Sequence, residues 1–196
     1  MIAIVNYGAG NIASVKRAFE YLGYACMVTS DPDLIERSDR FVVPGVGNFQ
    51  TTTLLSTNAL APALARQVSL GKPLLGICLG MQWLFQFSDE APGVLGLGAF
   101  VGRCQSFPAA VKSPHVGWDQ LEICWQSRLL RGIGSGGFVY FTHRYCAPVI
   151  EATVATCDYG APFSAAVEDG NIFGVQFHPE KSGEMGLVVL ENFCTC

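Results

Sequence analysis

Charge is scarce in this 196-residue sequence: Asp, Glu, Lys and Arg together make up only 14% of it. No basic run occurs and the net charge is -4, which excludes the electrostatic grip on phosphates that nucleic-acid binding relies on. Long apolar runs are missing as well. No stretch approaches the roughly 18 uninterrupted apolar residues of a membrane span, so no membrane partner is expected. The N-terminal MIAIVNYGAG has no basic segment ahead of its apolar residues and reads as a strand and turn, not a signal peptide. The eight cysteines lack the spacing of a disulfide scaffold. Apart from Cys78 they read as reduced thiols packed as small hydrophobes, which points to the cytoplasm. The pair Cys194 and Cys196 is too weak a signal to expect a metal. Histidine is also rare, with three in the chain, so imidazole chemistry has few places to reside.

What is present is apolar residue, half of the total. That is enough for one core in a single domain over 1–196, with some surface buried against a partner. Predicted strands over Met1–Asn6, Tyr24–Thr29, Phe41–Val43 and Leu74–Ile77 alternate with helices. The first helix is capped by Asn11 and carries Ile12, Val15, Phe19 and Leu22 on one face. The second runs over Ala59–Leu70, and a third opens at about Leu79. This alternation implies an α/β fold, an open and mostly parallel sheet with helices on both faces. The second half changes character. Leu95–Val101, Val116–Ile123, Phe138–Phe141, Ala152–Thr156 and Ser164–Val167 read as strands between Gly and Pro turns, an antiparallel β extension. Ile172–Phe177 is a further strand and Glu184–Phe193 a closing helix. There is no internal repeat or linker.

The segment Gly76-Ile77-Cys78-Leu79-Gly80 follows a buried strand and opens a helix, the arrangement of a nucleophile elbow with cysteine as the nucleophile. Its glycines allow a bend sharp enough to hold the sulfur in the open, and the helix N-terminus favours thiolate. Acyl transfer then needs an oxyanion hole. The Leu79 N–H is one candidate donor, and the Pro44-Gly45-Val46-Gly47 turn offers a second. The base is sought among the three histidines. His178 lies just beyond a strand in Phe177-His178-Pro179-Glu180, and in extended chain His178 and Glu180 face the same way. The carboxylate can then hold the imidazole in the tautomer that accepts the thiol proton. His115 and His143 lack a carboxylate two residues on and read as structural or surface groups.

Together Pro44-Gly45-Val46-Gly47, Gly76 to Gln82 and Phe177 to Ser182 resemble the class I glutamine amidotransferases. Asn6 to Asn11, Pro114 to Trp118 and Tyr140 to His143 narrow the likeness to the glutaminase subunits of imidazole glycerol phosphate synthases. The resemblance covers nearly the whole chain. It implies that Cys78 attacks the glutamine carboxamide, that His178 serves as base and then acid, and that Glu180 orients it. It further implies Val46 and Leu79 in the oxyanion hole, with Gly47, Gln82, Glu90, Arg144 and Tyr145 holding glutamine. The implied partner is a (β/α)8-barrel cyclase subunit in a heterodimer, met by Asn11 and Lys181. Ammonia would pass to it for the synthesis of imidazole glycerol phosphate and aminoimidazole carboxamide ribotide in histidine biosynthesis. No metal or nucleotide cofactor is implied. The chain departs from the family pattern at Asn6, Asp119 and Arg144, which leaves open a paralogue feeding another ammonia acceptor such as an amidino sugar.

Other readings compete. Gly8-Ala9-Gly10-Asn11-Ile12-Ala13 fits the dinucleotide fingerprint G-x-G-x-x-A, with Asp31 roughly 20 residues on, as in an NAD-binding oxidoreductase. That reading leaves the cysteine elbow unexplained. A cysteine hydrolase acting alone and a binding-only subunit are the remaining alternatives.

Overall fold

A computed structural model describes residues 1–196. In its first half β1 (Ile2–Val5), β2 (Cys26–Thr29), β3 (Arg40–Gly45) and β4 (Leu74–Cys78) pair in parallel. Side chains alternate between two faces with the strand period of two: Ile2 and Ile4 enter one apolar cluster, Ala3 and Val5 the other. On the first face lies α1 (Ile12–Tyr21), through Val15 and Phe19. The second face is covered by α2 (Pro32–Glu36), α3 (Thr53–Thr57) and α4 (Leu60–Ser69), through Ile35, Leu55, Leu60 and Leu64. Next, α5 (Leu79–Leu84) follows β4 with no intervening loop.

The second half contributes β5 (Phe85–Ser88), β6 (Phe100–Ser106), β7 (His115–Gln120), β8 (Glu122–Ile123), β9 (Phe138–His143) and β10 (Tyr145–Cys146). Then come β11 (Thr153–Asp158), β12 (Pro162–Asp169), β13 (Ile172–Val175) and α6 (Gly183–Thr195). The main sheet has eight strands in the order β2-β1-β3-β4-β13-β12-β11-β8. Although late in the chain, β13 slots in parallel beside β4. From there β12, β11 and β8 continue antiparallel. A mostly parallel sheet with an antiparallel wing is the architecture expected from the sequence. With Val189, Leu190 and Phe193, α6 joins α1 on the first face. A three-stranded sheet (β10-β6-β5) and a two-stranded ribbon (β7-β9) stand apart. No helix is long and apolar enough to cross a membrane.

Several local expectations fail. Asn11 stands at the N-cap of α1 but its side chain makes no capping bond. The expected strand at Leu95–Val101 lies further on, at β6, because Leu95 is exposed and makes only an isolated bridge to Phe87. The expected strand over Val116–Ile123 is split. Its first part pairs with β9, and past Leu121 the chain joins the main sheet as β8. Neither α2 nor β5 was anticipated.

Candidate active site

The carboxyl ends of three adjacent parallel strands, β3, β4 and β13, bring the chemistry together, as open α/β sheets tend to do. Gly45 at the end of β3 stands beside Cys78 at the end of β4, and β13 leads within three residues to His178.

Cys78 adopts φ 54 and ψ -108, one of only two non-glycine residues with positive φ. Such a conformation is uncommon for a side-chain-bearing residue and persists only where its surroundings enforce it. Here the enforcement is steric. A Cβ on Gly80 would fall 1.8 Å from the Val43 carbonyl oxygen, and one on Gly76 would fall 2.6 Å from the Gly80 oxygen. Only glycine lets strand and helix close to this distance. Contrary to expectation the sulfur is not in the open: Cys78 is 4% exposed. It faces a cleft of about 70 Å³ lined by Gly47, Leu79, Gln82, Glu90, Thr142, His143, Arg144 and Tyr145. Its sulfur accepts from the Gln176 Nε2 at 3.6 Å and donates to the Thr142 carbonyl oxygen at 3.9 Å.

His178 donates its backbone N–H to the Tyr140 carbonyl at 2.9 Å. Its Nδ1 lies 2.9 Å from Glu180 Oε1, with both side chains almost wholly buried. The two groups do meet, but not through extended chain. Pro179–Lys181 forms a short 3-10 turn, for which Pro179 suits the first position, and this turn swings the carboxylate back onto the ring. Ser182 fixes the turn, its Oγ donating to the His178 carbonyl at 2.7 Å and accepting the Tyr140 N–H at 3.0 Å. With Nδ1 committed to Glu180, Nε2 is the remaining ring nitrogen, buried and without a hydrogen-bond partner. Burial alone would lower the imidazole pKa. Interaction with Cys78, and with Glu180 beside it, outweighs burial and raises it. An imidazole held this basic beside a thiol is built to take its proton.

Six sequence-predicted residues, Gly47, Leu79, Gln82, Glu90, Arg144 and Tyr145, meet Cys78 in the one cleft. Val46 is partly exposed beside it and does not line it. Neither Val46 nor Gly47 donates a backbone hydrogen bond. As the first residue of α5, Leu79 has an N–H with no intrahelical acceptor. Gln82 spends its amide on the Tyr145 carbonyl at 2.7 Å and on Gln176 Oε1 at 3.1 Å. Glu90 Oε2 accepts the Phe49 N–H at 2.7 Å, tying the loop after Gly47 to the cleft wall. Asn11 is half-buried and Lys181 exposed, the latter with its Nζ 5.7 Å from the Tyr140 ring centre.

Gln176, Thr142 and Ser182 were not singled out from the sequence. Gln176 precedes His178 by two residues at a strand end, so the period of two was the available signal. The other two histidines are buried among aromatic rings, in keeping with the structural reading. His115 is stacked between Tyr159 and Phe141 at 4.0 and 4.9 Å, and its Nε2 lies 3.3 Å from Asp119 Oδ2. The carboxylate is thus four residues on, at one of the departures from the family pattern. His143 is a buried part of the cleft wall, with Nδ1 2.9 Å from the Tyr145 carbonyl.

The dinucleotide reading does not survive the fold. A Cβ at Gly10 would lie 3.1 Å from the Pro44 backbone, so that loop is packed by β3. Asp31 caps α2 by accepting the Asp33 N–H at 2.9 Å.

Comparison with known proteins agrees with this geometry. A family model described as glutamine amidotransferase class-I matches residues 3–195. The imidazole glycerol phosphate synthase subunit HisH of Methanothermobacter thermautotrophicus is 47% identical over 194 residues, covering 98% of this chain and 97% of the relative. The subunit of the same name from Bacillus cereus is 45% identical over 195 residues, covering 98% and 93%. Among solved structures, a glutamine amidotransferase superposes with a TM-score of 0.77 at 20% identity, covering 99% of this chain and all of that one, a likeness of fold. On these matches, the chain belongs to the class-I glutamine amidotransferase family.

Proposed function

We propose that this chain is the glutaminase subunit of an imidazole glycerol phosphate synthase and delivers ammonia to a (β/α)8-barrel cyclase subunit. The observation that carries the reading is Cys78 in the cleft, coupled to a basic His178 whose Nδ1 lies 2.9 Å from the buried Glu180 carboxylate. In this mechanism His178 Nε2 takes the Cys78 proton and the thiolate attacks the glutamine side-chain carbonyl carbon. The tetrahedral oxyanion is held by the Leu79 N–H and by the Val46 N–H. The imidazolium returns its proton to the leaving nitrogen, and ammonia departs to leave a thioester. A water deprotonated by His178 then frees glutamate and the thiol. Glu90 opposes the α-ammonium of glutamine, while Gly47, Gln82, Arg144 and Tyr145 shape the rest of the cleft.

The cleft is far below the roughly 300–1,000 Å³ of ordinary ligand pockets. That supports a resting arrangement in which the 44–47 turn is misaligned until the partner docks. A docking face is at hand. Val116, Trp118 and Phe138 on the β7-β9 ribbon are 56%, 54% and 52% exposed, an apolar set unusual on an isolated surface. Trp118 adjoins Tyr140, over whose ring Lys181 lies, so the apolar set and Lys181 share one side. Asn11 would complete that face. The sheet draws strands from both halves of the chain, which supports a single domain over 1–196. Eight free cysteines suit a reducing cytoplasm.

Co-expression with the host's barrel protein tests the reading. A stable heterodimer is expected, with glutamine-dependent turnover of the cyclase substrate and slow glutaminase activity in the chain alone. Equal glutamine hydrolysis with and without the barrel would refute it.

A further inference from the structure

Five buried side-chain atoms lack a hydrogen-bond partner: Tyr7 Oη, His115 Nδ1, His143 Nε2, His178 Nε2 and Glu180 Oε2. The His178 and Glu180 atoms belong to the catalytic set proposed above. Tyr7 belongs to no step above, yet it is 2% exposed. Its hydroxyl is wedged where β3 meets α5. A Cβ on Gly45 would fall 2.5 Å from Tyr7 Oη and 2.6 Å from Leu79 Cβ. The hydroxyl therefore abuts the Gly45 backbone, between the two segments assigned to the oxyanion hole.

We propose that Tyr7 is a positioning residue for that hole: its O–H donates to the Gly45 carbonyl when the Gly45–Val46 peptide turns to aim the Val46 N–H at the substrate oxygen. The inference rests on the amidotransferase reading. In a trans peptide the C=O and N–H point opposite ways, so directing the N–H into the cleft turns the carbonyl away from it, into protein. A carbonyl sent there without a donor is strongly disfavoured, and Tyr7 is a donor with nothing else to bond. Unsatisfied in the present arrangement and satisfied in the reactive one, the hydroxyl biases the turn toward the latter. Burial, reinforced by charge at Cys78, keeps it protonated and hence a donor at any working pH.

The test is Tyr7→Phe in the assembled complex with the host's barrel subunit. Glutamine-dependent kcat should fall about tenfold, a fraction of what losing a whole oxyanion donor costs. KM for glutamine and ammonium-driven turnover should stay at wild-type values. The Tm of the chain should hold or rise, because the substitution deletes an unpaired buried donor. An unchanged kcat overturns the proposal. So does a kcat loss accompanied by a lower Tm and weaker ammonium-driven turnover, which would mark a packing defect. If the wild-type complex itself shows no glutamine-dependent turnover, the amidotransferase reading fails first.

Discussion

In the proposed mechanism one sulfur and one imidazole carry the chemistry, and two imidazoles set the pH dependence of stability. Replacing Cys78 by Ala removes the proposed nucleophile from a site whose neighbours, Gln176 just past β13 and the Thr142 carbonyl in β9, are held by their own backbone bonds. Glutamine-dependent turnover should vanish while ammonium-driven turnover of the complex persists, as assayed side by side. Loss of both would mean that the substitution broke more than the nucleophile. The histidines act on stability with opposite signs. His143, pushed to about 3 chiefly by burial, refuses between that value and its unfolded value of about 6.5 a proton that the unfolded chain accepts. Its contribution is therefore complete above about pH 6.5 and lost as pH falls, on the order of a few kcal/mol in all. His178, with its pKa raised, contributes fully below about pH 6.5 and loses that contribution as pH rises through its folded value. Thermal melts from pH 7 to pH 4 should fall less steeply for His143→Phe than for wild type, and parallel curves would contradict this account.

At the scale of elements, the strand-to-helix junction from β4 to α5 determines where the nucleophile can be. Gly80→Ala sets a methyl against the Val43 carbonyl at 1.8 Å. Neither β3 nor β4 can retreat, since each is paired on both sides. Denaturant titration should show a loss of about 3 kcal/mol or more, the upper range for overpacking. This junction was legible in the sequence because glycines at fixed offsets around a cysteine follow directly from its steric demand. So were β1 to β4 and α1, whose apolar residues keep a single period throughout. Other elements lack such punctuation. From Trp83 to Phe87 helix gives way to strand with no Gly or Pro between and only Gln86 interrupting the apolar residues, so nothing marks the end of the helix that opens at Leu79 and β5 is hidden. The split between β7 and β8 is equally silent, because Leu121 suits either sheet. The roles of Ser182 and Thr142 depend on β9 lying beside the His178 turn and Cys78, a neighbourhood created by topology and not by spacing.

For the whole molecule, the remaining question is which surface carries the partner, and its answer lies in what the fold leaves uncovered. The β7-β9 ribbon stands outside the main sheet. One of its faces packs inward through His115, Val139, Phe141 and His143, while Val116, Trp118 and Phe138 face outward. Water contact there is unfavourable for the isolated chain, and a barrel mouth that covered it would also cover Lys181 and the cleft side of Tyr140. Binding energy in such patches concentrates in large aromatics, so Trp118 is the residue proposed as anchor, by size and position. Trp118→Ala should raise the Kd for the barrel subunit about 30-fold, the equivalent of roughly 2 kcal/mol, by calorimetric titration. The Tm should be unaffected, because little of the side chain's surface is lost from the core. Saturating barrel protein should restore glutamine-dependent turnover, since the residue touches neither Cys78 nor the 44–47 turn. A Kd equal to wild type would remove this ribbon from the interface and direct attention to the exposed Trp125 on the far wing of the sheet.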